Sequence, residues 1–552
     1  MTEPRTMSDI LAGLDSPGRG LTFLDSGPEP LSFAELARTT ENLARRWAGL
    51  GVRPGDRVVL AATDIRELAL ALLAAMRAGV VPVPAFPPLA FGKGSEQVRA
   101  LARICRAAGA EVCLVGDHSV AALQDAGLSC RIGTLQDLVA AVPGPPPPAP
   151  GPDDSALLQF TSGSTADPKG VVVTQRALAV HTRALATALD IDCERDRGVS
   201  WLPMYHDMGL IGKLLVAVVT QTSTWYVSPL QFLRDPMGFL RLLSEVRGTI
   251  SYAPNFAYGL LTRRVRDGVP GDLDLSAWRI AGCGAEPVRA QTLRRFAEVY
   301  EPAGFRAEAF FPCYGLAEAT LAVCTATPGK GMTTLTVDAD GLTGQAVALP
   351  TPAGTGRTLE LVSNGRALPG TSVAVVDEEG RALPEDTVGE IVVSGDHLAS
   401  GYHDDPELTA RTWRNGRLHT GDTGFLHDGE LYVTGRIRDL IIVNGRNHQP
   451  HDIERIAEQV DGVRPGNVIA LAADQGDSTA VRIVLEPRSF PAPADLPRRV
   501  TLAVQRGLGV PVADVVVIPK GSLPKTSSGK PRRRHTAQLL ESGRLTPSDR
   551  ES

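Results

Sequence analysis

Residues 161–170 read Thr-Ser-Gly-Ser-Thr-Ala-Asp-Pro-Lys-Gly, and they decide how the rest of the chain is interpreted. They follow a short apolar segment, 156–160, that predicts a β-strand. Glycines let backbone N–H groups approach an anion closely, hydroxyl groups add hydrogen-bond donors, and a lysine adds positive charge. The stretch is therefore a candidate cradle for a polyphosphate. A polar turn rich in serine and glycine would have the same composition.

Other signatures of nucleotide enzymes and hydrolases are missing from the sequence. It contains no G-x-x-x-x-G-K-[ST], no G-x-G-x-x-G and no G-x-S-x-G. The simplest arguments for a P-loop enzyme, a dinucleotide enzyme or an α/β-hydrolase are thereby removed.

Helical and strand-like patterns alternate in the first part of the chain. Apolar residues recur at helical spacing in 31–51, 68–79 and 96–108, and RVVLAA, VVPVPAF and EVCLVGD follow them as strands. This alternation predicts an α/β fold with a largely parallel sheet. From Asp439 onward, strands (LIIVN, VRIVLEP, DVVVIP) mix with a helix (IERIAEQV), which is typical of a small, separately folded α+β domain. Residues 328–356, rich in Gly, Thr and Pro, are expected to form a loop with little regular structure.

Length and composition limit the class of protein. A chain of 552 residues predicts more than one core, and a net charge of −6 argues against a dedicated nucleic-acid binder. The seven cysteines are scattered without a C-x-x-C pair, which favours a reducing compartment. The N-terminus has no apolar signal segment, and the longest apolar stretch, Leu68 to Met76, is too short to span a membrane. We therefore expect a cytoplasmic protein without stable membrane insertion.

Four further motifs follow the phosphate stretch in order. They are Tyr314-Gly315-Leu316-Ala317-Glu318, His419-Thr420-Gly421-Asp422, Gly435-Arg436-Ile437-Arg438-Asp439 and Leu523-Pro524-Lys525-Thr526-Ser527-Ser528-Gly529-Lys530. Together with residues 161–170, they resemble the ordered signatures of the adenylate-forming superfamily of acyl-CoA synthetases, peptide-synthetase adenylation domains and luciferases. The matches extend over most of the chain.

The resemblance implies an α/β architecture of two unequal domains. A large N-terminal domain of parallel and mixed sheets with flanking helices, residues 1–434, is expected to hold the ATP and acyl pockets. A hinge at 435–439, with Asp439 absorbing the backbone change, is expected to lead to a small mobile α+β C-terminal domain at 440–552.

The reaction that the resemblance implies is attack of a carboxylate on the α-phosphorus of ATP, with release of pyrophosphate. Because both reactants are anions, catalysis depends on positioning and on neutralising charge. Lys530 is the expected catalytic cation, and Glu318 is expected to assist catalysis by holding Mg²⁺. Without the resemblance, Lys530 would be a solvated lysine of a basic tail, and Glu318 an exposed glutamate at a helix start.

The nucleotide contacts are carried over from the motifs one by one. Tyr314 is expected to stack on adenine, Asp422 to accept hydrogen bonds from the ribose hydroxyls, and Arg436 to steady ribose or phosphate. Gly284-Ala285-Glu286-Pro287 resembles the segment that frames the adenine, and its small residues would permit close approach of the base. The full set of predicted ATP- or AMP-binding residues is Thr161, Ser162, Gly163, Ser164, Thr165, Lys169, Gly284, Ala285, Glu286, Tyr314, Gly315, Asp422 and Arg436.

Four features resemble the fatty acyl-AMP ligase branch in particular. Residues 201–210 (WLPMYHDMGL), 253–258 (APNFAY) and 445–454 (GRNHQPHDIE) are close to three of its motifs, and 328–356 fall where the branch carries an insertion. His206, Asn255 and Phe256 are accordingly expected at the acyl pocket. For His206, the alternative is a structural histidine that caps the following turn.

The branch also implies an acceptor. Its insertion restrains the C-terminal domain and disfavours free coenzyme A, so the implied function is activation of a fatty acid and transfer to the phosphopantetheine thiol of an acyl carrier protein, in lipid or polyketide/lipopeptide biosynthesis. An acyl-CoA synthetase, an adenylating enzyme for an aromatic or short-chain acid, and a degenerate homologue without turnover stay open as alternatives. The presence of Lys530, Glu318 and Asp422 argues against the last of these.

Three positions depart from the family pattern. Ala166 stands where glycine is usual, Gln175 where histidine is expected, and Cys283 where asparagine is common in the branch. None of them replaces the predicted lysine, glutamate or aspartate, so these departures bear on nucleotide affinity and the acceptor channel rather than on the chemistry.

Overall fold

The longest sheet of the protein carries much of the predicted site at one edge. The computed structural model describes residues 6–88, 96–124, 127–161, 168–265, 268–352, 357–443, 446–474, 479–526 and 531–545. Among these residues, the sheet has the strand order Arg366–Ala367, Ala322–Thr325, Phe310–Gly315, Ile280–Cys283, Ile250–Ala253, Gly198–Ser200, Thr224–Tyr226, Gly20–Phe23 and Leu31–Ser32. The inner strands pair in parallel and the outermost pairings are antiparallel. In such sheets ligands bind beyond the carboxyl ends of the parallel strands, and Cys283 and Gly315 are two of these ends.

Helices pack around the sheets, and local sequence signals fix where they begin. The helix Phe33–Ala44 begins at Ser32, whose hydroxyl accepts from the backbone N–H of Glu35 while the Glu35 carboxylate accepts from the N–H of Ser32. The other α-helices of the described part of this domain are Met7–Ala12, Ile65–Arg77, Glu96–Ala108, Val120–Gln124, Leu135–Ala140, Gln175–Ala188, Asp207–Gly209, Val216–Thr220, Pro229–Arg234, Pro236–Glu245, Asn255–Arg264, Ala290–Tyr300 and Pro406–Thr412. The predicted helices within 31–51, 68–79 and 96–108 are thus confirmed.

Two smaller sheets flank the first. A parallel sheet has the strand order Val81–Pro84, Arg57–Ala61, Val112–Val115 and Arg131–Gly133. An antiparallel sheet has the order Gly401–Tyr402, Lys169–Thr174 and Ser155–Thr161. Parallel and mixed sheets with helices around them confirm the predicted α/β class.

Residues 328–356 are more regular than the sequence suggested. The strand Thr334–Asp338 pairs with Thr358–Val362, and a π-helical turn, Gly341–Gln345, follows it. Val337 is fully buried in one cluster with Phe425, so the alternation of Thr334-Leu-Thr-Val-Asp was a strand signal. The expectation of a loop with little regular structure is therefore wrong for the described residues. The segment packs against another sheet, which consists of the strands Ser372–Val376, Gly389–Ser394, Arg417–His427, Trp413–Arg414 and Glu430–Arg436.

The C-terminal domain has a core of its own. Ile453, Val468, Ile483 and Val500 belong to one buried cluster that contains no residue before Ile441. Its elements are the strands Ile441–Val443, Arg446–His448, Val463–Asp474, Thr479–Pro487 and Val512–Val517 and the helices Pro450–Glu458, Leu496–Leu508 and Arg533–Glu541. This mixture confirms the predicted small α+β domain. Across the described ranges, no helix combines the length and the apolarity needed to cross a bilayer.

A buried ion pair lies at the amino ends of three central strands of the long sheet. Asp196 is 1% exposed, and Arg279 donates to both of its carboxylate oxygens at 2.7 Å. The hydroxyl of Thr249 donates to the same carboxylate at 2.9 Å. A buried carboxylate without a cation is costly. Arg279 and Thr249 together therefore stabilise the buried carboxylate of Asp196.

Substitution of Arg279 should therefore destabilise the N-terminal domain. We expect Arg279→Met to lower the free energy of unfolding by about 3 kcal/mol, since the buried Asp196 carboxylate then keeps only Arg195, 3.6 Å away, as a cationic partner. Arg294→Met, which breaks the more exposed pair with Glu360, should cost less than about 1 kcal/mol. Denaturant unfolding of the two variants measures this difference, and equal shifts would contradict the assignment.

Candidate active site

The first residue of the predicted phosphate-binding stretch and its lysine lie side by side in the structure. Thr161 and Lys169 face each other as the last pair of the antiparallel strands Ser155–Thr161 and Lys169–Thr174. Ser162, Gly163, Ser164 and Thr165 lie outside the described residues, so their roles remain predictions. The stretch is thus located between two paired strands.

A tyrosine joins the predicted phosphate and metal residues. The Tyr402 hydroxyl donates to Oε1 of Glu318 at 2.7 Å, and Nζ of Lys169 lies 5.7 Å from the centre of the Tyr402 ring. Burial, and then the Glu318 carboxylate, raises the pKa of Tyr402 above its ordinary value, so the hydroxyl remains a donor at neutral pH. Lys169 and Glu318, which are far apart in the sequence, are brought to the same place.

Asp422 is the centre of a second cluster. The Tyr314 hydroxyl donates to Oδ2 of Asp422 at 2.7 Å, and Nε of Arg436 lies 2.9 Å from Oδ1. Burial, and then the Asp422 charge, raises the pKa of Tyr314 well above its ordinary value. Three predicted nucleotide residues are therefore in direct contact, with each Asp422 oxygen oriented by one of the other two.

The two clusters adjoin each other. The pKa of Arg436 is raised chiefly by the Asp422 carboxylate, against the effect of burial, and the charges of Asp439 and Glu318 raise it further. The Arg436 guanidinium thus interacts electrostatically with Asp422, Asp439 and Glu318, which are the predicted ribose, hinge and metal residues.

Backbone geometry explains the small residues of the predicted adenine frame. A Cβ atom at Gly284 would lie 2.7 Å from Sγ of Cys313, and one at Gly315 would lie 1.9 Å from the carbonyl oxygen of Leu321. Ala285 has φ of 65°, in the left-handed region where a non-glycine residue is strained. Such strain clusters at functional sites, and these residues follow the carboxyl ends of two parallel strands.

The adenine frame and the predicted acyl-pocket segment are hydrogen-bonded together. The backbone N–H of Phe256 donates to Oε1 of Glu286 at 2.6 Å, and the N–H of Arg289 donates to Oδ1 of Asn255 at 3.0 Å. Glu286 therefore orients the acyl segment, and its expected place in the adenine frame stays a prediction.

His206 contacts an acid and does not cap the turn. Its Nδ1 lies 2.6 Å from Oδ1 of Asp207, and in the described residues no side-chain hydrogen bond caps the short helix Asp207–Gly209. The alternative of a capping histidine is therefore wrong.

The predicted catalytic lysine lies outside the described residues. On either side of Lys530, Lys525 and Pro531 form a β-bridge. Asp439 lies in the 3₁₀ turn Ile437–Asp439, and its Oδ2 is 3.5 Å from Nη1 of Arg533. The predicted hinge acid thus contacts the helix that follows Lys530, whose own role remains a prediction.

Tyr402 is the site residue that the sequence did not indicate. It lies in a strand of two residues, Gly401–Tyr402, which is too short to show periodicity, and its partner Glu318 is remote in sequence. Among the departures from the family pattern, Gln175 is fully buried and accepts a hydrogen bond from the N–H of Met7 at 3.0 Å. That residue therefore stabilises the N-terminal helix.

The acidic side chains among the described residues fit a magnesium ion that is bound partly by the protein and partly by the substrate. No group of three or more His, Cys, Asp or Glu side chains in the described ranges is arranged to hold a metal. Glu318 offers one carboxylate beside Lys169, and Mg²⁺ commonly takes one or two carboxylates, with waters and substrate phosphates as its other ligands. A site that is completed by the phosphates of ATP matches this composition.

Comparison with known proteins identifies the family. The family described as AMP-binding enzyme matches residues 17–403. The chain is 36% identical over 547 residues to the long-chain-fatty-acid–AMP ligase FadD26 of Mycobacterium marinum, covering 93% of this chain and 92% of that protein. It is 34% identical over 564 residues to the medium-chain-fatty-acid–[acyl-carrier-protein] ligase JamA of Moorena producens, covering 97% and 95%.

A solved structure extends the similarity to the fold. It comes from a study of fatty acyl-adenylate ligases of E. coli and L. pneumophila, has 36% sequence identity and a TM-score of 0.91, and covers 98% of this chain and 99% of that one. The chain therefore belongs to the AMP-binding enzyme family, with the large N-terminal and small C-terminal domains of adenylate-forming enzymes.

A single change at Asp422 tests the nucleotide site. We expect Asp422→Asn to lower kcat/KM for ATP by roughly 10- to 100-fold, because hydrogen bonds to a charged acceptor are lost. Asp428→Asn, at an exposed position on the same hairpin, is the matched control and should leave kcat/KM unchanged. ATP-dependent pyrophosphate exchange measures both, and equal effects would remove Asp422 from the site.

Proposed function

We propose that this enzyme uses ATP to activate a fatty acid as acyl-AMP, and then passes the acyl group to the phosphopantetheine thiol of an acyl carrier protein. The observation that carries adenylation is the convergence of Tyr314, Asp422 and Arg436 beside Glu318 and Lys169, at the carboxyl edge of the long sheet. The similarity to FadD26 and JamA supports the fatty acid and the carrier protein as substrate and acceptor.

The residues have distinct tasks in this reaction. A carboxylate oxygen forms a bond to the α-phosphorus while the bond to the bridging oxygen of pyrophosphate breaks. Asp422 orients the ribose, and Lys169 neutralises phosphate charge. Lys530 stabilises the charge that develops in the transition state. Mg²⁺, when bound by Glu318 and the phosphates, would neutralise further charge.

The domain arrangement supplies Lys530 to the site. We place a hinge at 435–439 between an N-terminal domain at 1–434 and a C-terminal domain at 440–552. In this structure Nη1 of Arg289 lies 2.6 Å from Oε2 of Glu458, so the C-terminal domain is held beside the adenine frame. A second half-reaction needs this domain to rotate so that a thiol can reach the adenylate.

An ion pair in the insertion favours a carrier protein over free coenzyme A. Asp340, within 328–356, lies 2.8 Å from Nη1 of Arg446 in the C-terminal domain and 3.1 Å from Nη1 of Arg357. Arg357 also donates to the carbonyl oxygen of Leu508 in the C-terminal domain at 3.0 Å. The insertion thus binds the domain that has to rotate, and a carrier protein can offset this restraint with its own contacts.

Removal of the predicted catalytic lysine tests adenylation. We expect Lys530→Ala to reduce acyl-AMP formation by at least about 100-fold, since a positioned cation at the transition state is worth about 3 kcal/mol or more. Lys520→Ala, an exposed lysine of the same domain, is the control. A Lys530→Ala enzyme that forms acyl-AMP at the normal rate would overturn the assignment.

Weakening of the insertion contact tests acceptor choice. We expect Asp340→Asn to raise the rate of acyl-CoA formation by about 2- to 5-fold, because exposed ion pairs contribute up to about 1 kcal/mol. Deletion of 330–355 should raise it further. Arg446→Gln, which breaks the same contact from the C-terminal domain and leaves the pair of Asp340 with Arg357 intact, should raise it to a similar extent as Asp340→Asn. An unchanged ratio of acyl-CoA to acyl carrier protein product in all three proteins would contradict the role of the insertion.

A further inference from the structure

A buried lysine lies outside the catalytic groups described above. Lys213 is 4% exposed and lies in the π-helical segment Leu210–Leu215, which begins at the last residue of the Trp201–Leu210 motif. Short π-helical segments are rare and frequently occur at functional sites. The residues beside Lys213 in this segment, Leu210, Ile211, Leu214 and Leu215, are all fully buried. An ammonium group in such surroundings needs partners.

The partners within the described residues are too few for a charged lysine. Nζ donates one hydrogen bond, to the carbonyl oxygen of Ile250 at 3.0 Å, and lies 5.7 Å from the centre of the Tyr252 ring. No acid in the described ranges forms an ion pair with it, and the charge of Asp196, which acts on it, is already bound by Arg279. Burial lowers the pKa of Lys213 to about 7. The group therefore has donor capacity that the protein leaves unused.

Tyr252 places this lysine behind the acyl-pocket segment. Tyr252 and Ile250 lie in the strand Ile250–Ala253, which leads directly into Asn255 and Phe256. A Cβ atom at Gly282 would lie 2.0 Å from the Tyr252 ring, so that ring covers the strand that ends at the adenine frame. The ring is also packed edge-on against Phe311 at 6.4 Å. Lys213 thus contacts the strand that leads into the predicted acyl-pocket segment, with the Tyr252 ring beside its ammonium group.

We propose that Lys213 and Tyr252 form a polar end to the acyl pocket, and that they select an acid with a second oxygen group, foremost a carboxylate, at the end remote from the reacting carboxyl group. The inference rests on the proposed function, since it assigns the substrate of the same site. A remote carboxylate supplies both the negative charge and the acceptors that the buried ammonium lacks. A plain methyl end would leave that ammonium with a single carbonyl partner.

Matched acids test this selection. ATP–pyrophosphate exchange is measured for the wild type and Lys213→Met with three acids of equal carbon number: an alkanoate, its ω-hydroxy derivative and the α,ω-dicarboxylate. We expect the wild type to prefer the oxygenated acids. Lys213→Met should lower kcat/KM for these acids by roughly 10- to 100-fold, as for the loss of a hydrogen bond from a charged donor, and leave the alkanoate unchanged or improved. A purely structural lysine would shift all three acids equally.

A second variant guards against misfolding. Lys213→Gln keeps a donor for the Ile250 carbonyl without the charge, so it should retain stability and lose the preference for the dicarboxylate. A wild type that favours the alkanoate, with a ratio that neither substitution changes, would overturn this inference and leave the proposed function intact. Absence of exchange with every acid would overturn both.

Discussion

The carboxylate of Asp422, held between the Tyr314 hydroxyl and the Arg436 guanidinium, is the interaction on which the site depends. Tyr314 belongs to the long sheet, Asp422 to the sheet beneath the insertion, and Arg436 to the end of the strand that leads into the C-terminal domain. One buried charge therefore fixes the relative positions of two sheets and of the hinge. Because each oxygen already has a partner, the carboxylate is oriented before a ribose arrives, which lowers the entropic cost of binding.

The charge balance of the reaction explains why a second domain is needed. Two anions have to meet, and the described part of the site holds Lys169 beside Tyr402 and Glu318, and Arg436 beside Asp422. A further cation supplied by a mobile domain can neutralise the transition state and then withdraw, so that a thiol can enter. The contacts Asp340–Arg446 and Arg289–Glu458 show how this domain is held in one position. In the proposed mechanism, catalysis and acceptor choice depend on the same domain contacts.

The sequence predicted the α/β class and the main helices and strands because periodic apolar residues are local signals, whereas Asp422, Arg436 and Lys169 were named as site residues by the resemblance of ordered motifs. It did not predict Tyr402 beside Glu318, Glu286 on the backbone of Phe256, or Asp340 on Arg446. These contacts join residues that are far apart in the chain, and their geometry is set by the packing of whole sheets. The burial of Lys213 could not be predicted either, because the sequence does not show whether a lysine in an apolar helix faces the core or the solvent.

The most direct test is a partition experiment on the adenylate. Purified enzyme is first loaded with a labelled fatty acid, ATP and Mg²⁺, and excess ATP is removed. The enzyme-bound product is then offered equal concentrations of free coenzyme A and holo acyl carrier protein. This account predicts labelled acyl-AMP in the first step and label on the carrier protein in the second. Formation of acyl-CoA as the main product, or no acyl-AMP from any fatty acid, would contradict it.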